Sequence, residues 1–177
     1  MANQDALREL QARLASQLEM AHSEDRGRAW LAVECAGAGF LLPLNEAGEI
    51  FPFRGSVVVP HTRHWFLGVA NLRGQLQGLV DLARFLGLDP DRGAAAPGWL
   101  VALNPRFDVN AALRVDRLAG LRREAQLQLL PDRDRGNPRP RFAGGLYLDR
   151  SGSAPWQEIR LADLATEAHF LDIVPAL

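Results

Sequence analysis

Leu7, Leu10, Leu14 and Leu18 recur at intervals of three, four and four. That spacing stacks them on one face and predicts a helix over residues 5–20. Arg8, Glu9, Gln11, Arg13, Gln17 and Glu19 cover its other faces. The stripe is narrow, so such a helix either packs on the body of the protein or meets a partner helix. A polar break from His22 to Arg28 follows. Beyond it the period shortens. Runs rich in Val, Leu and Phe, punctuated by Gly and Pro, predict strands over 30–34, 39–44, 50–53, 67–72, 75–80, 99–103, 111–118, 145–148 and 156–160. Many short strands with Gly and Pro turns point to a mainly β chain of small barrels or a sandwich. The helices are too few for repeated βαβ units.

Two short helices interrupt the strands. Asp81 can cap the first, its carboxylate accepting the orphan amides of Leu82 to Arg84. Leu82, Phe85 and Leu86 form its apolar side, Gly87 can close it, and Pro90 stands just beyond. The second is predicted over residues 161–168. Residues 89–98 are rich in Ala, Gly and Pro, and 131–141 alternate Arg with Asp, Asn and Pro; both read as loops.

Composition narrows the class. At 177 residues the chain needs neither disulfide nor metal to fold, since roughly 70% of the unfolded surface can be buried at this size. Cys35 is the sole cysteine, so no intrachain disulfide is possible, which fits a reducing cytosol. No apolar run reaches the ~18 to 20 residues of a membrane span, and Met1 to Met20 lacks the apolar centre of a signal peptide. The expectation is a cytoplasmic protein. A formal net charge of −1 argues against a nucleic-acid partner. All 20 basic residues are Arg, which excludes a catalytic lysine.

Catalytic and metal readings fail on spacing. His61 and His64 supply two ligands where zinc needs three or four. Cys35, beside Glu34 in a strand, reads as a small buried hydrophobe. No Gly-x-Ser-x-Gly elbow and no phosphate-cradling loop with Lys occurs, and the carboxylates are scattered singly. No cofactor and no metal are expected. Trp65, Phe66 and Trp99 are either interface anchors or core, while Leu42, Leu44, Val57 and Val59 are expected in the core.

The densest pattern runs Leu67-Gly68-Val69-Ala70-Asn71-Leu72-Arg73-Gly74-Gln75-Leu76, then Leu79-Val80-Asp81-Leu82. It reads as a strand, a tight turn at Arg73-Gly74, a second strand and the capped helix. Gly74 supplies a turn conformation costly for other residues. An Arg among apolar neighbours needs a counter-charge. Glu49, in Gly48-Glu49-Ile50, is the candidate, giving an expected Glu49–Arg73 ion pair that locks two parts of the barrel together.

This run resembles the signature of the CheW-like chemotaxis coupling proteins. Phe40-Leu41-Leu42-Pro43-Leu44, the pair Glu49-Ile50, Pro60, the strand 99–104 and Val115-Asp116 fall where that family has matching features. The leading helix, Trp65-Phe66-Leu67-Gly68-Val69-Ala70-Asn71, Phe142-Ala143-Gly144 and Trp156 resemble its PilI-type branch, the adaptors of type IV pilus twitching systems. The small Ala47 stands where the family usually has a larger apolar residue.

The resemblance implies two five-stranded, SH3-like barrels sharing a core over 28–172, after an N-terminal helix and linker (1–27) and before a tail (173–177). It implies two partners, the regulatory domain of a CheA-like histidine kinase and the helical tip of a methyl-accepting chemoreceptor, met at membrane-associated arrays. The receptor groove would involve Glu49, Asn71, Arg73, Gly74, Ala47 and Trp99, and the partner interface Leu44, Pro60, Trp65 and Phe66. An oligonucleotide-binding barrel is the alternative, but near-neutral charge and a single Tyr count against it.

Overall fold

The computed structural model describes residues 27–89, 96–131, 139–150, 152 and 154–175. The N-terminal helix expected over 5–20, and most of the loops expected over 89–98 and 131–141, lie outside the described residues.

The described residues form eleven strands in two sheets. Strands β1 (Ala29–Cys35), β2 (Ala38–Pro43), β8 (Arg117–Arg123), β9 (Leu127–Leu129), β10 (Ala143–Asp149) and β11 (Pro155–Ile159) make a six-stranded sheet ordered β8-β1-β2-β11-β10-β9. Strands β3 (Ala47–Pro52), β4 (Phe66–Leu72), β5 (Gln75–Asp81), β6 (Trp99–Leu103) and β7 (Ala111–Val115) make a five-stranded sheet ordered β3-β6-β7-β5-β4. The second sheet is thus inserted whole between β2 and β8. Short helices α1 (Leu82–Phe85), α2 (Leu161–Leu164) and α3 (Ala168–Leu171) pack beside them.

Side-chain alternation explains why the central strands read as unbroken apolar runs. In β1, Trp30 and Ala32 join Leu41, Leu127 and Tyr147 in a core private to the first sheet, while Leu31, Val33 and Cys35 point the other way. In β6, Leu100 and Ala102 join Leu67, Leu79 and Ala112 in a core private to the second sheet, while Val101 and Leu103 point the other way. The outward sets meet in one shared core, closed by Leu82 and Phe85 of α1, Leu161 and Leu164 of α2, and Phe170 of α3. A strand covered on both faces has no need of polar alternation.

The two edges of the second sheet are brought together by the chain after β3. Val57 and Val69 exchange backbone hydrogen bonds of 2.8 and 2.9 Å, and Ser56 Oγ donates to the Leu67 carbonyl at 2.7 Å, laying residues 56–57 against edge strand β4. Gly68 makes this possible. Its φ is +117°, and any Cβ there would collide with the Val57 carbonyl.

Several expectations are corrected. The apolar run 111–118 hides a change of sheet: it breaks at Asp116, whose carboxylate accepts from the Ala36 amide at 2.8 Å, and splits into β7 and β8. The three-residue strand β9 carries too short a pattern to register. The helix expected over 161–168 is two single turns, α2 and α3. Leu44 and Val57 are exposed rather than core, because Leu44 follows the end of β2 and Val57 lies on the outer side of an edge bridge. Val59 is half-buried and Leu42 fully buried. Asp81 caps α1 as expected, accepting from the Arg84 amide at 3.3 Å.

Candidate functional site

The hairpin joining β4 to β5 sets the site. Leu72 pairs with Gln75, leaving a two-residue loop of Arg73 and Gly74 with φ of +50° and +86°. Positive φ at both positions is the signature of a type I′ turn, whose twist matches that of the flanking strands. Asn71 Oδ1 accepts from the Gly74 amide at 2.7 Å and fastens the loop.

From this turn the Arg73 side chain reaches across the sheet's end. Its Nη1 lies 2.8 Å from Glu49 Oε2, and its guanidinium stands 5.8 Å from the centre of the Phe51 ring. β3 and β4 are opposite edges of the five-stranded sheet, so the ion pair spans the mouth of that sheet's private core. Beneath it opens a groove of about 550 Å³. Glu49, Phe51, Leu72, Arg73, Gln75, Gln77 and Ala102 are among the residues that line it. The side chains of Arg73 and Glu49 are 75% and 58% exposed. The pair therefore stands in water rather than among buried apolar neighbours. Exposed pairs contribute only about 0–1 kcal/mol to stability, too little to lock a barrel.

The remaining candidates are dispersed. Gly74 and Asn71 belong to the turn itself. Ala47, at the start of β3 opposite Leu103, is half-buried against the shared core. Trp99 pairs with Pro52 at the far end of the β3–β6 ladder. Leu44 lines a separate depression with Arg28, Trp30 and Glu46. Pro60 is exposed in the connection before β4, and Phe66 is half-buried over Gly78. Trp65 is core, not interface. It is buried in the shared cluster, edge-on to Phe85 with ring centres 5.2 Å apart.

Two buried polar centres escaped the sequence reading. Arg114 and Asp81 are both fully buried, with Nη1 and Oδ2 3.4 Å apart. Arg114 also donates from Nη2 to the Ala96 carbonyl and stacks 4.7 Å from the centre of the Phe53 ring. Glu158, buried, accepts from Trp30 Nε1 and Arg28 Nη2 at 2.8 Å each and from the Gly145 amide at 3.2 Å. A lone Arg inside the apolar run Ala111–Val115 was the available signal for the first, since a buried charge demands a partner. The acid of Trp-Gln-Glu-Ile carried no comparable signal. Both centres tie together residues far apart in the chain.

Other chemistry is sparse. His61 and His64 are exposed in the turn before β4. Among the described residues no group of three His, Cys, Asp or Glu side chains could hold a metal ion, and no helix is long and apolar enough to cross a membrane.

Comparison with known proteins places the whole arrangement. The family model for the CheW-like domain matches residues 29–164, spanning both sheets and the groove. Protein PilI of Pseudomonas aeruginosa is 33% identical over 111 residues, covering 62% of this chain and 60% of that protein. The chain thus matches less than two thirds of that relative's length. The crystal structure of the scaffolding protein TtCheW from Thermoanaerobacter tengcongensis superposes with a TM-score of 0.62 at 17% identity, over 83% of this chain and 97% of that one. That likeness is one of fold.

Proposed function

The chain belongs to the CheW-like domain family, and from that premise we propose that it is a non-catalytic adaptor coupling a methyl-accepting chemoreceptor to a CheA-like histidine kinase. Its likeness to Protein PilI supports a chemosensory system that governs twitching motility through type IV pili. In this reading the chain works in the cytoplasm, at membrane-associated arrays.

The observation that carries the reading is the exposed Glu49–Arg73 pair above the partly apolar groove. Fixed opposite charges beside apolar walls orient a partner and reject wrong ones. Phe51 and Leu72 supply surface for the apolar face of a helical tip, a helix-in-groove mode of recognition. The kinase's regulatory domain would dock elsewhere. Val57 and Val58, exposed beside edge strand β4, offer an apolar surface for it. Two weak contacts suffice, because a multivalent array raises their effective affinity far above that of either alone.

Calorimetric titration tests this. The kinase's regulatory domain and a chemoreceptor cytoplasmic hairpin from the same organism should each bind, and each should bind in the presence of the other. Arg73→Glu should weaken only the receptor titration. Failure of both partners to bind the folded chain would remove the adaptor reading and leave the fold intact.

A further inference from the structure

A second groove, of about 560 Å³, opens where residues of α1 and α3 meet those of β2 and β11. Its lining is chiefly apolar: Phe40 of β2, Phe85 at the end of α1, Leu86 and Leu88 just after it, Phe142, and Ile159 of β11. These side chains belong to the shared core or pack against it, and Leu86 and Leu88 are only half-buried. An apolar cavity of about 150 Å³ accepts a benzene-sized group, so this groove has room for roughly three side chains of that size. Its rim carries both signs, Arg139 and Glu167, and so favours neither an anionic membrane nor a nucleic acid. It shares no residue with the site under the Glu49–Arg73 pair.

We propose that this groove is the docking site of the chain's own N-terminal segment, receiving the leucine stripe of residues 5–20 as a helix laid in cis. Leu7, Leu10, Leu14 and Leu18 run about 16 Å along one face of such a helix. Gln11 and Gln17 border the stripe, so it is narrow and suits a groove better than an open sheet face. A helix of this length is marginal in water and holds only where its apolar side is covered. The point of entry puts the groove within reach. Arg28 donates from Nη2 to Glu158 Oε1 at 2.8 Å. Gln157 and Ile159, the chain neighbours of Glu158, both line the groove on the opposite face of that strand. Only β2 separates β1 from β11, a step of about 10 Å, and passing from one face of the sheet to the other adds about as much. Residues 21–27, the polar stretch after the stripe, extend to about 23–25 Å. A tether this short holds the helix at a millimolar effective concentration beside the groove, which a second copy or a separate partner reaches only when abundant.

The test uses the full chain and neither signalling partner, so it stands apart from the adaptor reading. Leu10→Asp combined with Leu14→Asp should lower Tm by at least about 3 °C and raise the binding of anilinonaphthalene sulfonate, a dye that reports exposed apolar surface. Leu88→Asp, in the groove itself, should also lower Tm, and adding the two leucine changes to it should cost little more, as for residues in contact. If Leu88→Asp does not fold, Leu88→Ala serves the same cycle. The Tm difference between the native chain and the leucine variant should not change with protein concentration. Unchanged Tm and dye binding in the leucine variant would overturn the proposal, as would fully additive losses with the Leu88 variant. A difference that grows with concentration would assign the groove to the helix of a second copy and overturn docking in cis.

Discussion

The second sheet carries two Arg–carboxylate pairs whose surroundings are opposite. Asp81 and Arg114 are fully buried on β5 and β7; Glu49 and Arg73 stand in solvent at the sheet's mouth. Burial makes the first pair obligatory. Desolvating two charges is expensive, and removing one partner strands the other. Exposure makes the second pair nearly neutral to folding and leaves its atoms available to something outside. Identical chemistry thus serves architecture in one place and, in the proposed function, recognition in the other.

The largest expected effect comes from breaking the buried pair. Arg114→Ala should destabilise by about 3–5 kcal/mol in denaturant unfolding, because the buried Asp81 carboxyl loses the guanidinium packed against it. Asp81→Asn combined with Arg114→Leu should recover most of that loss, since Asn retains an oxygen to cap α1. Next comes the junction that actually joins the sheet's edges. Gly68→Ala combines a positive φ with a collision against the Val57 carbonyl, and should cost about 2–4 kcal/mol in the same assay.

The exposed pair should respond differently. Arg73→Ala should change stability by no more than about 1 kcal/mol, yet weaken receptor-hairpin binding tenfold or more as Glu49 loses its partner in the interface. A stability loss like that of Arg114→Ala would erase the contrast between the pairs. The smallest effect is the most pointed. Arg73 sits at φ +50°, so Arg73→Gly should raise stability by about 0.5–1 kcal/mol relative to Arg73→Ala, as backbone strain is relieved. Binding should be equally weak in both variants.

These contrasts also show what the sequence could express. The Arg73-Gly74 turn and the Asp81 cap were legible because each depends on neighbours a few residues away. The partnership of Glu49 and Arg73 was legible as a pair, but not its exposure. That depends on β3 and β4 lying at opposite edges of one sheet, a matter of topology. Asp81–Arg114 was missed because Asp81 already had a local role, which masked its long-range one. The break at Asp116 was hidden for a similar reason. Both faces of β7 are covered, so its pattern carries no period to mark where the chain leaves one sheet for the other. Trp65 was ambiguous by type alone, since a Trp serves core and interface equally well.

The central claim, that one chain bridges receptor and kinase, is tested most directly by sedimentation. Membranes bearing the chemoreceptor are mixed with the kinase, with and without this protein. Kinase should pellet with the membranes only when the chain is present, and Arg73→Glu should leave it in the supernatant. Kinase that pellets equally well without the chain, or never pellets with it, would contradict the account.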